Sequence, residues 1–217
     1  MNLAAMIDHT LLKADATEKD IVNLCHEAQK YKFATVCVNP VHVRTCAKLL
    51  HGTGIGVSAV IGFPLGATLT EIKVQEVFAV KALGAREIDM VMNIGCMKAG
   101  NWDAAARDLN RVVEAAHSCG LVVKVIIETA LLTEEEKKQA AELVRTSGAE
   151  FIKTSTGFAS SGATVADVQK LKAWVGAGVK VKAAGGVRTR ELALQLVEAG
   201  ADRLGTSASI ALLTPDS

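Results

Sequence analysis

Val122-Val123-Lys124-Val125-Ile126-Ile127-Glu128-Thr129, a stretch from Thr133 to Thr146 with apolar residues at helical spacing, Gly148, and then Phe151-Ile152-Lys153-Thr154 make up the segment that decides the fold. The first and last runs are short, apolar and β-branched, which reads as two strands; the stretch between them repeats with the period of a helix. Thr133, with acids in the next three positions, suits a helix start, and Gly148 suits its end. Strands joined through a helix lie parallel, because parallel neighbours need a long crossover.

The same unit recurs on both sides. Strand-like runs lie at Ile7 to Thr10, Ala34 to Val38, Val57 to Ile61, Glu87 to Met92, Val179 to Ala184 and Arg203 to Thr206. Amphipathic stretches fill the intervals at Thr17 to Tyr31, Pro40 to Leu50, Thr70 to Leu83, Asp103 to Ser118, Thr164 to Val175 and Thr189 to Glu198. Thr17 and Thr70 sit in capping positions like Thr133, and Gly84, Gly120 and Gly200 close stretches as Gly148 does. Eight units in 217 residues leave about 27 residues each, near the lower end for a closed barrel, where ~250 in total is typical. The expectation is an α/β chain forming a single-domain (β/α)8 TIM barrel over residues 1–217, with an N-terminal helical segment. An open doubly wound sheet is the rival, but it would more naturally carry a GxGxxG turn after the first strand, and none occurs there.

Composition narrows the function. Lys plus Arg number 24 against 23 Asp plus Glu, and aromatic residues make up 4%. That leaves neither the charge surplus nor the stacking groups of a general nucleic-acid binder. Half of the residues are apolar and 22% are charged, which argues against disorder. Val57 to Ala67, the most apolar stretch, contains Pro64 and is too short to cross a bilayer. Residues 1–15 show no basic segment leading into an apolar run, so no signal peptide is expected. Cys25, Cys37, Cys46, Cys96 and Cys119 are odd in number with no CxxC pair, and read as reduced thiols in a cytoplasmic protein. His9, His26, His42, His51 and His117 are scattered without HxH or HExxH spacing, so no metal and no cofactor are expected.

Side chains alternate across a strand, so parity tells which residues share a face. In Glu87-Ile88-Asp89-Met90-Val91 the apolar pair faces the helices and Asp89 points inward; Lys124 lies opposite Val123 and Val125 in the same way. Lys153 lies opposite Ile152, and Lys180 and Lys182 opposite Val179 and Val181. Four strands therefore aim Asp89, Lys124, Lys153 and Lys182 into an interior that is normally apolar. Burying several charges without function is costly, at several kcal/mol each by order of magnitude, about the effective penalty per ion. Close cations in a poorly hydrated site disfavour one another's protonation, so one of these lysines is expected to become a neutral amine able to attack a carbonyl.

Glycine-rich turns follow the last two strands, as Ala184-Gly185-Gly186-Val187-Arg188 and Gly205-Thr206-Ser207. Bare backbone N–H groups at such turns hold phosphate in many barrels. Thr154-Ser155-Thr156-Gly157 adds hydroxyls and a third turn at the same rim.

The runs at 151–157, 181–188 and 122–129, together with Asp8-His9-Thr10-Leu11-Leu12, resemble the deoxyribose-phosphate aldolase family, in one order and over nearly the whole chain from Ile7 to about Ile210. The resemblance implies a class I aldolase that reversibly cleaves 2-deoxy-D-ribose 5-phosphate into acetaldehyde and D-glyceraldehyde 3-phosphate. It further implies Lys153 as the Schiff-base lysine, Lys182 as the lysine that lowers its pKa and assists proton transfer, and Asp89 as the acid working with Lys182 through water. Cys37 and Lys124 would line the substrate pocket, with Thr156, Gly157, Gly185, Gly186, Arg188, Gly205 and Ser207 at the phosphate end. Implied partners are small phosphorylated sugars and aldehydes, with neither nucleic acid nor membrane, in a dimer or tetramer of identical chains. Two departures stand out. Phe158 occupies a position where some relatives carry a basic residue, which predicts one fewer cation on the phosphate; and the tail Leu213-Thr214-Pro215-Asp216-Ser217 has no tyrosine to reach the site. Two rivals stay open on the residues alone: a phosphosugar isomerase with Asp89 or Glu128 as base, and a phosphosugar-binding protein without turnover.

Overall fold

The computed structural model describes residues 2–213. Eight parallel strands close into a barrel, each beside its neighbour in sequence: β1 (Ile7–Leu11), β2 (Thr35–Val38), β3 (Gly56–Ile61), β4 (Glu87–Val91), β5 (Val122–Ile126), β6 (Phe151–Lys153), β7 (Lys180–Ala184) and β8 (Arg203–Thr206). The ring is sealed between β1 and β8, with Ile7 opposite Leu204 and Asp8 opposite Gly205. The closed (β/α)8 barrel expected from the repeat is the observed fold, with strand limits displaced by a residue or two.

Helices fill the crossovers: α1 (Glu18–Tyr31), α2 (Val43–Leu49), α3 (Thr70–Leu83), α4 (Ile94–Lys98), α5 (Trp102–Ser118), α6 (Glu134–Ser147), α7 (Val165–Val175) and α8 (Arg190–Glu198). Thr17 and Thr133 each form a full capping box, with the side chain three residues on reaching back to the threonine N–H; each box contributes about 1 kcal/mol. Thr70 departs from expectation. Leu69 takes the cap position, and the Thr70 hydroxyl donates to Asp108 Oδ1 at 2.8 Å. The short helix α4 was not foreseen, because five residues are too few to show a period; Asn93 caps it by accepting from Cys96 N at 3.1 Å. Among the described residues the expected N-terminal helical segment is a single 3-10 turn at Ala4–Met6, which leads straight into β1.

The core lies between barrel and helices. In α5, Ala105, Leu109, Val112 and Ala116 recur every three or four residues and are fully buried against the sheet's outer face, where Ile88, Met90, Val123 and Val125 point. With one face of every strand spent on this layer, the other face fills the interior. All strands run the same way, so the loops after β1, β6, β7 and β8 meet at one rim. Among the described residues no helix is long and apolar enough to cross a membrane.

Candidate active site

Strand register decides which inward side chains meet. Asp89 is paired with Lys124 across β4 and β5, Lys153 with Lys182 across β6 and β7, and Lys182 with Arg203 across β7 and β8. Asp89 is the hub. Its Oδ2 accepts from Lys153 Nζ at 2.6 Å and from Lys182 Nζ at 2.7 Å, while its Oδ1 accepts from Lys124 Nζ and from Ser58 Oγ, both at 2.9 Å. Asp8 is a second hub: Lys182 Nζ donates to its Oδ2, while Arg203 Nη1 and Thr35 Oγ1 donate to its Oδ1 at 2.6 and 2.7 Å. Glu87 closes the floor, 2.5 Å from Lys124 Nζ and 3.6 Å from Arg203.

Parity alone would have put Lys180 in this group. It is exposed instead, with its ammonium 5.5 Å from the centre of the Phe151 ring, because the first residue of β7 lies at the barrel's open bottom; depth as well as direction decides burial.

The cluster holds four cations, Lys124, Lys153, Lys182 and Arg203, against three carboxylates, Asp8, Glu87 and Asp89. A buried surplus charge is unfavourable, and shedding one proton removes it. Of the three lysines, Lys153 is the one whose pKa is lowered. Burial lowers its pKa and the Lys182 ammonium lowers it further, against the opposing pull of Asp89. For Lys182 burial acts the same way, but Asp8 and Asp89 outweigh it and its pKa is raised. Lys124 is likewise driven up, burial being overcome by Asp89, Asp8 and Glu87. Both aspartates stay ionised: burial would raise their pKa values, and the surrounding cations hold them well below the usual carboxylate range. The expectation that a second lysine depresses Lys153 is thus refined, since desolvation is the larger cause and Lys182 the smaller.

Above Lys153 a cavity of about 240 Å³ opens at the rim. Thr156, Gly157, Gly185, Gly186, Arg188, Gly205 and Ser207 line it, together with Lys13 and Phe158. No Asp or Glu is among the lining residues. The N–H groups of Gly157, Gly186 and Ser207 donate to no acceptor among the described residues, leaving them free for an anion. Gly185 and Gly186 have φ of +84° and +73°, a run of left-handed backbone that glycine adopts without strain. Gly162 packs so closely on this turn that a Cβ there would lie 2.1 Å from Gly185 O.

Two expected pocket residues lie elsewhere. Cys37 is buried in a small apolar cluster with Leu12 and Val60, its Sγ 3.9 Å from Asp89 Oδ2, and burial followed by the Asp89 charge pushes its thiol pKa up. Lys124 is fully buried in the floor and does not line the cavity. Nor does Glu128, considered above as a base; it is bonded to Thr156. Phe158 packs edge-on against Phe63 with ring centres 5.3 Å apart, forming an apolar lip on the cavity. The four final residues of the tail, 214–217, lie outside the described residues.

Sequence reading gave no role to Asp8, Glu87, Arg203 or Lys13. Asp8 was hidden in a strand that is polar at three successive positions, Asp8, His9 and Thr10, so parity had no apolar face to read there. Glu87 and Arg203 begin their strands, where a charge ordinarily meets water, and Lys13 is an exposed loop residue. Among the described residues no group of three or more His, Cys, Asp or Glu side chains is placed to hold a metal ion. His9 instead bridges Glu27 Oε2 and Ser209 Oγ, each at 2.8 Å.

A buried lysine with a lowered pKa beneath a cavity lined by unpartnered backbone N–H groups suits carbonyl condensation, and comparison with known proteins agrees. The family model described as "DeoC/LacD family aldolase" matches residues 3–212. The chain is 71% identical over 214 residues to the deoxyribose-phosphate aldolase of Desulfitobacterium hafniense, covering 99% of this chain and 98% of that one. It is 53% identical to that of Aciduliprofundum boonei, covering 97% and 95%. Among solved structures, the tetrameric deoxyribose phosphate aldolase of Aeropyrum pernix superposes with a TM-score of 0.91 at 37% identity, covering 97% of this chain and 89% of that one. With fold, charged interior and near-complete sequence match in agreement, the chain belongs to the DeoC/LacD aldolase family.

Proposed function

We propose that the protein reversibly cleaves 2-deoxy-D-ribose 5-phosphate into acetaldehyde and D-glyceraldehyde 3-phosphate through a Schiff base on Lys153. One observation carries the assignment: of the three lysines inside the barrel, the one beneath the anion cradle is also the one whose pKa falls.

The uncharged Lys153 Nζ adds to C1 of the open-chain sugar, and loss of water from the carbinolamine leaves a protonated imine. Loss of the C3 hydroxyl proton and scission of the C2–C3 bond send the electron pair into that iminium. Glyceraldehyde 3-phosphate departs and an enamine remains. Protonation of the enamine at C2 and addition of water release acetaldehyde and return the free amine. Lys182 and Asp89, bonded to each other at 2.7 Å, are the groups beside Lys153 that can hold the water and move these protons. The glycine turns and Arg188 take the phosphate, and Lys13, which lines the same cavity from the loop after β1, supplies a further cation.

The test is to treat the protein with acetaldehyde and borohydride and to map the trapped adduct by mass spectrometry. An ethyl group on Lys153 supports the assignment. Turnover that persists with no adduct there would show that another residue forms the imine.

The reading extends to a cytoplasmic homo-oligomer. All five cysteines are free thiols, as a reducing compartment keeps them, and a solved relative is described as tetrameric. Light scattering on the purified protein decides between monomer and oligomer.

A further inference from the structure

Among the described residues only Lys32 and Glu128 combine a side chain with left-handed backbone, at φ 59° and 56°. Lys32 is an exposed helix end, where such a conformation is common. Glu128 is different: it is 3% exposed, follows β5, and points its carboxylate into the protein. Glycine would take this backbone without strain, so the position holds a glutamate against its conformational preference.

The carboxylate is spent on one residue. Both of its oxygens accept from Thr156 N at 3.3 Å, and Oε2 also accepts from the Thr156 hydroxyl. With its proton given to Glu128, the Thr156 oxygen is free to accept from Phe158 N at 3.0 Å. This fixes the turn from Thr156 through Phe158, the wall of the cavity that presents the unpartnered Gly157 amide. The Glu128 carboxylate makes no hydrogen bond to Lys153 or Thr154, and Thr154 has partners on β7. Thr154 N donates to Lys182 O at 3.1 Å, and the Thr154 hydroxyl donates to Ala184 O at 3.0 Å while accepting from Ala184 N at 3.1 Å. The backbone beside Glu128 also holds this strand, Ile127 N donating to Lys153 O at 3.1 Å and Thr129 N to Thr154 O at 2.9 Å, so what the carboxylate alone adds is the anchor of the anion wall.

We propose that Glu128 is a positioning residue that sets the preference for phosphorylated over unphosphorylated sugar, acting through Thr156 on the Gly157 turn and not on the chemical step. This rests on the proposed aldolase function. Because its carboxylate lies outside the cavity, it orients the anion wall without repelling the phosphate.

Glu128→Gln and Glu128→Gly form the test, the second relieving the backbone while deleting the carboxylate. For Glu128→Gly, KM for 2-deoxyribose 5-phosphate is expected to rise about tenfold, with kcat and the kcat/KM for unphosphorylated 2-deoxyribose held within about threefold; Glu128→Gln falls between it and the wild type. Equal losses on both substrates, or an unchanged KM in both variants, overturn the proposal. Should the wild-type protein fail to cleave 2-deoxyribose 5-phosphate, the aldolase reading is what fails. Calorimetric binding of inorganic phosphate then decides the role of Glu128, about tenfold weaker binding in Glu128→Gly upholding it and unaltered binding rejecting it.

Discussion

Two lysine clusters are equally buried in this molecule and are built on different arithmetic. Between α3 and α5, Lys73 is fully enclosed, its Nζ 2.6 Å from Asp108 Oδ2 and 3.0 Å from Val91 O, while Asp108 Oδ1 accepts from Thr70. One cation faces one carboxylate there, and neutral groups satisfy what remains. Inside the barrel, four cations share three carboxylates, and Lys153 and Lys182 compete for one oxygen of Asp89. A balanced pair ties two helices together. In the unbalanced cluster the lysine with a single carboxylate partner, Lys153, is the one whose pKa falls.

The contrast is sharpest if Lys153 and Lys73 are each replaced by methionine. Lys153→Met is expected to abolish turnover by about ten-thousandfold or more, since it deletes the proposed nucleophile. Its melting temperature should hold or rise, because the cost of desolvating the amine leaves with the side chain. Lys73→Met should do the reverse, losing about 3–5 kcal/mol of stability by denaturant unfolding as Asp108 is left buried and unpaired, with little change in kcat of the folded protein. A stability loss in Lys153→Met equal to that in Lys73→Met would erase the distinction.

Lys182→Met tests the coupling between the two amines. Turnover should drop about a hundredfold. Lys153 must be uncharged to attack, so activity climbs with pH through its pKa; removing a neighbouring cation raises that pKa and moves the acid limb of kcat/KM to higher pH. An unmoved limb would assign the depression to burial alone.

Stability should carry the same signature. Lys153 holds its proton less tightly in the folded state than at its ordinary value of 10.5. The unfolded chain therefore binds more protons between the folded-state pKa and 10.5, and stability rises with pH across that window, by about 1.4 kcal/mol per pH unit where the difference is a full proton. Lys153→Met should remove this part of the pH dependence, measurable by urea unfolding at several pH values. The smallest effect belongs to the rim: Lys13→Ala should raise KM for the phosphorylated sugar about fivefold, more at low ionic strength than at high, because its ammonium is exposed.

Much of this was legible in one dimension. Lys124 and Lys182 were visible as inward because each alternates with valines, and Lys153 because it lies opposite Ile152; the glycine turns were visible because glycine placed between a strand and a helix has few other uses. Lys180 shows the limit. It has the parity of Lys182 and none of its burial, since a repeat of two gives a direction but no height along the barrel axis. Arg203 and Glu87 were missed for the converse reason: at the start of a strand they look solvated, and only strand pairing, β8 with β1 and β4 with β5, brings them to Asp8 and Lys124. Glu128 could have been seen as polar but not as left-handed, because backbone conformation at a loop follows from what the side chain finds to bind.

Local chemistry, carried by each residue and its near neighbours, was enough to set the alternation of strands and helices, the parallel barrel and the set of lysines aimed at its centre. What needed the closed ring was the sharing of partners. Asp8 and Lys182 stand 174 positions apart and Lys153 and Asp89 stand 64 apart. Which lysine stays charged depends on how many carboxylates each can reach, and on how much water the wall of strands removes. Electrostatic energy is summed over distances in space, and those distances exist only once β8 has come to rest beside β1.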